Sequence, residues 1–181
     1  MLHDSELIEQ LLKITHEPFT GEVYRTTGVN ADPTAFSTSG GRWAIPEESS
    51  GGFSILYTSF DRDGSIAEVA SYLKLLTPIP LKPLKVSKLS ISAERAIRVD
   101  ESHFQSLGID PEKYAERNYE STQLVGAAVN FLQLDCLIAP SARWRCNNLM
   151  IFANNHSLAS KLEVIGSEIV EPPDWQSLDN D

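Results

Sequence analysis

The chain has 181 residues, 41% hydrophobic and 22% charged, a length that suits one domain better than two. A chain of even ~150 residues hides roughly 70% of its unfolded surface, so this core needs no covalent staples. The apolar fraction excludes a disordered chain, no apolar run approaches the roughly 20 residues of a membrane helix, and a net charge of −10 argues against DNA or RNA as the main partner.

Residues 1–13 carry acidic groups where an export signal would carry basic ones. Cys136 and Cys146 can make at most one disulfide. A reducing, cytoplasmic location is the expectation. Charge is unevenly spread: residues 163–181 hold six acidic side chains and no Lys or Arg, which reads as a solubilising tail. Arg25, Arg42, Arg143 and Arg145 each stand beside an aromatic residue or a Cys, as a site for a small anionic ligand requires.

In chain order, residues 5–14 place Leu7, Ile8, Leu11 and Leu12 on one helical stripe behind Asp4 or Ser5 as N-cap. Residues 22–27 alternate as a strand, and 30–41 are rich in Ser, Thr, Gly and Asp and form a loop. Residues 53–59 (FSILYTS) read as a strong strand, 61–64 as a turn, and 65–76 as a helix with Ile66, Val69, Ala70 and Leu73 on one side. Prolines between 78 and 83 impose an extended connection. Residues 84–89 and 96–99 are expected as two short strands, and Pro111 opens a helical pattern running to 133. Residues 135–139 and 149–153 read as buried strands, and 162–170 as a weaker last one. Strands and helices do not alternate as a doubly wound sheet requires, so an α+β domain with mainly antiparallel strands is predicted.

No metal signature is present. The four histidines are isolated, no HExxH or CxxC occurs, and Asp61-Arg62-Asp63-Gly64 departs from a calcium loop in its early Gly and in Tyr72, which stands where the bidentate Glu belongs. Phosphate-loop and GxSxG motifs are absent. Three strings remain. Ser65-x-x-Glu68 matches a capping box, and a first-turn carboxylate there can equally point across the end of the sheet into a cleft. Ser39-Gly40-Gly41-Arg42-Trp43 joins close backbone approach to a charged fork beside an aromatic plane; it also suits a plain turn whose Trp is core. Pro140-Ser141-Ala142-Arg143-Trp144 puts Ser141 at the end of a buried strand.

Together these strings resemble the RES-domain family of bacterial toxins, over residues 22–170. The elements that carry the resemblance are Val23-Tyr24-Arg25, Gly41-Arg42-Trp43, Leu56-Tyr57-Thr58-Ser59, Ala67-Glu68-Val69 and Ala139-Pro140-Ser141. The resemblance implies a fold like that of ADP-ribosyltransferases, with mainly antiparallel split sheets around a cleft. It divides the chain into an N-terminal helical extension (1–21), the family domain (22–171) and an acidic tail (172–181). It implies NAD as substrate, consumed by hydrolysis, by phosphorolysis or by transfer of ADP-ribose to a protein. Arg42, Tyr57, Glu68 and Ser141 take the active-site positions, with Arg25 as an addition. Arg42 would pair with the pyrophosphate, Tyr57 would lie near the nicotinamide, and Ser141 would bond a ribose hydroxyl or phosphate. A helix-turn-helix antitoxin would insert its C-terminal end into the cleft; no metal, nucleic acid or membrane is implied. The chain departs from the family in an inserted loop at 47–52, in the N-terminal helix, and in Phe152-Ala153-Asn154-Asn155-His156 where an Asn-Pro is usual. Those departures keep a second reading open, a non-catalytic domain of this fold that binds a nucleotide or a protein.

Overall fold

The computed structural model describes residues 4–157 and 160–178. Six strands, β1 (His16–Gly28), β2 (Ile55–Ser59), β3 (Leu84–Arg98), β4 (Cys136–Pro140), β5 (Asn147–Phe152) and β6 (Leu162–Val170), form one sheet in the order β1-β2-β5-β4-β3-β6. β1 also pairs with β3, so five strands close into a ring and β6 lies outside it on β3. The expected α+β class and mainly antiparallel pairing are seen; the parallel exception is β3 with β4. The expected split into two sheets is not: the strands join in a single barrel-like sheet. One seam of that ring is thin, because β1 meets β2 only where Tyr24 faces Ser59.

Side-chain alternation explains the layers. Val23, Leu56, Leu89, Ile91, Ile138, Leu149 and Ile151, drawn from all five ring strands, fill the interior. Their alternates Ile55, Leu137, Met150 and Phe152 face outward onto α1 (Ser5–Leu12) and α4 (Glu120–Phe131). β2, β4 and β5 are therefore buried on both faces and read as continuous apolar runs. A third cluster packs Ile66 and Ala70 of α2 (Arg62–Leu73) on Leu84, Val86, Val170 and Trp175.

Several elements differ from expectation. β1 starts at His16, six residues before the expected strand and inside the span assigned to the N-terminal extension; Pro18 is tolerated because a bulge between Glu17 and Phe19 shifts the register there. Residues 84–98 form one strand of 15 residues rather than two short ones, since Ser90 and Ser92 alternate with buried Leu89, Ile91 and Ala93. The long helix predicted from Pro111 is a 3-10 turn (Pro111–Lys113), an irregular segment, and then α4. α3 (Glu101–Phe104) is a single capped turn. α5 (Pro172–Gln176) lies in the span read as an acidic tail, yet its Trp175 is fully buried and donates its indole N–H to the Lys82 carbonyl at 3.1 Å. Among the described residues, no helix is long and apolar enough to cross a membrane.

Candidate active site

α2 begins three residues earlier than the sequence pattern suggests. Asp61 is its N-cap, accepting the Gly64 N–H at 2.8 Å, so Ser65 is not a cap and Glu68 lies in the second turn. Asp63 is turned toward Arg62 in an ion pair, so this acidic string serves the helix start. What fixes Glu68 is two side-chain donors. Ser141 Oγ donates to Glu68 Oε1 at 2.7 Å and Asn148 Nδ2 to the same oxygen at 2.8 Å. Ser141 Oγ in turn accepts the backbone N–H groups of Arg143 and Trp144, each at 3.1 Å. With its lone pairs so engaged, the hydroxyl proton is directed at the carboxylate. Among the described residues no donor meets Glu68 Oε2.

The Gly40–Gly41 turn is held from three sides. Gly40 has φ +76°, and Gly41 and Ala44 close the turn through a 2.9 Å N–H to carbonyl bond. Tyr57 Oη accepts the Trp43 N–H at 3.1 Å, and a Cβ on Gly41 would come within 2.7 Å of that same oxygen. Gln123 of α4 donates to the carbonyls of Gly41 (3.0 Å) and Ala44 (3.2 Å). Gly126 lets α4 lie directly on the turn, since a Cβ there would stand 1.8 Å from the Trp43 carbonyl oxygen. Trp43 itself is core. Burial pushes the Tyr57 phenol up, which keeps its proton on.

Arg42, at the tip of the turn, lies 4.7 Å over each of the Tyr114 and Tyr119 rings. It donates through Nη1 to the Tyr114 carbonyl and through Nη2 to the Glu116 carbonyl at 3.3 Å. The segment 114–119 thus becomes a strap across the site. Its other attachments are Tyr114 Oη to the Pro140 carbonyl (2.6 Å), Arg117 to the Ser71 carbonyl (2.8 Å), and a 3.0 Å bond between the hydroxyls of Tyr72 and Tyr119. Burial raises the Tyr72 phenol to about 12; at Tyr119 burial acts the same way but is outweighed by the Tyr72 bond and by Arg42, Arg117 and Arg143, so its phenol is lowered.

These groups surround a cavity of about 580 Å³, within the roughly 300–1,000 Å³ usual for small-molecule sites. Arg25, Arg42, Tyr57 and Glu68 all line it; Ser141 reaches it through Glu68. Arg25 donates to the Pro33 and Ala35 carbonyls at 3.2 and 2.7 Å, and burial brings its guanidinium down to about 10, partly offset by Asp32. Sequence reasoning missed Asn148, Gln123, Tyr72 and Tyr119, and placed Arg143 only among the arginines suited to a small anionic ligand. Asn148 had a faint signal: a polar residue opening an apolar strand, where the outward face turns from core to cavity. Among the described residues, no group of three or more His, Cys, Asp or Glu could hold a metal ion, and both cysteines are free thiols.

No curated protein matches the chain. Among solved structures, a chain in the crystal structure of the M. tuberculosis MbcT–MbcA toxin–antitoxin complex matches with a TM-score of 0.78 over 97% of each chain. Identity to it is 18%, so that likeness is one of fold. The family model of the RES domain matches residues 16–176, taking in the bulged start of β1, the cavity walls and the buried Trp175. The chain belongs to the RES-domain family.

Proposed function

We propose that the protein consumes NAD by cleaving its nicotinamide–ribose bond, on an ADP-ribosyltransferase-like fold, as the toxin of a bacterial toxin–antitoxin pair. The observation that carries this reading is a carboxylate, Glu68, anchored by two donors through one oxygen on the wall of a dinucleotide-sized cavity. Family membership and likeness to a chain of a toxin–antitoxin complex support it. The implied partner is a helix-turn-helix antitoxin whose C-terminal end occupies the same cavity.

Breaking the bond sends its electron pair to nicotinamide, which leaves neutral, and builds positive charge on the ribose ring. Glu68, through its uncommitted Oε2, stabilises that charge and orients the acceptor, as carboxylates do in glycosidases. An acceptor oxygen then forms the new bond to ribose and releases its proton. Arg42 adds positive charge for the pyrophosphate, Arg25 supplements it from β1, and Tyr57 fixes the turn from which Arg42 projects. Ser141 acts on the substrate through Glu68.

The test is nicotinamide release from NAD by the purified protein. Glu68→Gln should bind NAD and lose turnover; release at the wild-type rate by that variant removes the proposal. The co-product names the acceptor: ADP-ribose for water, its phosphate ester for phosphate, a labelled protein for transfer. Binding of NAD with no release by the wild type would identify a non-catalytic domain.

A further inference from the structure

Three arginines line the cavity, and two are already occupied. Arg25 donates to the Pro33 and Ala35 carbonyls, and Arg42 to those of Tyr114 and Glu116 beneath two tyrosine rings. Arg143 differs. It lines the same cavity half-buried, and among the described residues its guanidinium meets no carbonyl, carboxylate or ring. Its backbone is not loose, because its N–H is held by Ser141 Oγ, the atom that also holds Glu68. One hydroxyl thus ties the carboxylate to the main chain of this arginine. Tyr119 lines the same space, its hydroxyl 3.0 Å from that of Tyr72.

We propose that Arg143 grips the phosphate groups of the ligand through hydrogen bonds, while Arg42, bonded to two carbonyls of the strap 114–119, holds that strap across the site and adds only its charge. The proposal rests on the reading that the cavity takes a dinucleotide. A guanidinium with all five N–H groups uncommitted can present a planar fork to a phosphate. One tied to two carbonyls must break existing bonds to do so.

Calorimetric titration of the full chain with inorganic pyrophosphate and with ADP-ribose, at low and high salt, separates the roles. Arg143→Gln should weaken both probes by roughly ten- to hundredfold, the worth of a hydrogen bond to a charged group, and flatten the salt dependence of Kd. Its melting temperature should stay at the wild-type value, and Arg143→Lys should recover part of the affinity. Arg42→Gln should instead lower the melting temperature. Probe affinities within twofold of wild type in Arg143→Gln, a wild-type protein that binds neither probe, or a loss of binding matched by a loss of folding would each overturn the assignment. Pyrophosphate binding that depends on Arg143, in a protein releasing no nicotinamide, upholds it while removing the enzymatic reading.

Discussion

Ser141→Ala is the most informative single change. The hydroxyl makes three bonds: one donated to Glu68 at 2.7 Å, and two accepted from the Arg143 and Trp144 N–H groups at 3.1 Å. A hydrogen bond to a charged group contributes roughly 1.5–3 kcal/mol and a neutral one about 1. At a half-exposed site the low end applies, giving a loss of about 2–3 kcal/mol. For a chain of this size each kcal/mol moves the melting temperature by roughly 2–4 °C, so a drop of about 4–12 °C is expected. Glu68 keeps its bond to Asn148 and is held at one point instead of two. A displacement near 1 Å costs on the order of a hundredfold, so kcat for nicotinamide release should fall about 10–100-fold with KM changed less than about threefold. Because both donors converge on one oxygen, Asn148→Ala should couple to Ser141→Ala rather than add to it. Wild-type kcat in Ser141→Ala would refute the positioning argument. So would a folded variant as inactive as Glu68→Gln, which would mean that Ser141 itself reacts.

Other expectations follow from packing and titration. Gly126→Ala pushes a methyl into the Trp43 carbonyl and should destabilise the fold by about 3 kcal/mol, lowering the denaturant midpoint and activity together. Tyr57→Phe leaves the Trp43 N–H without its acceptor, which should cost about 1–2 kcal/mol in thermal unfolding. Trp175→Ala empties a fully buried site and should lose about 3–5 kcal/mol, separating the C-terminal turn from α2 in limited proteolysis. Burial raises both thiols, Cys136 and Cys146, above their ordinary value near 9. The unfolded chain therefore releases those protons first, and stability should be intact below pH 9 and fall as pH rises beyond it. Replacing Cys136 with Val should flatten that slope in urea titrations at pH 8 and pH 10.

The sequence made the buried strands β2, β4 and β5 legible because a strand covered on both faces is a short apolar run with no competing pattern. β3 was half-visible. Its serines look like loop residues until the alternating Leu89, Ile91 and Ala93 are matched with the barrel interior, and that interior exists only after closure. The start of β1 was hidden by Pro18, whose bulge depends on the partner strand. At the site, local strings pointed to Arg42, Glu68 and Ser141 and the family resemblance added Tyr57; Arg42, Tyr57 and Glu68 line one cavity, with Ser141 bonded to Glu68. The second donor to Glu68 left only a faint trace. Asn148 reaches it across 80 positions of chain, from a strand that sequence alone starts two residues later. Similarly, Tyr72 and Tyr119 meet only because Arg117 and Arg42 tether the strap to two separate elements.

The single Tyr24–Ser59 pairing has a consequence for how the barrel responds to a ligand. Tyr24, Arg25 and Thr26 on one side and Tyr57, Thr58 and Ser59 on the other border the cavity, which occupies the place where two neighbouring strands decline to zip. Opening is cheapest where main-chain bonds are fewest. A molecule that bridges both margins acts as the missing rung of a ladder, so amide hydrogens along residues 24–26 and 57–59 should exchange markedly more slowly once the chamber is filled.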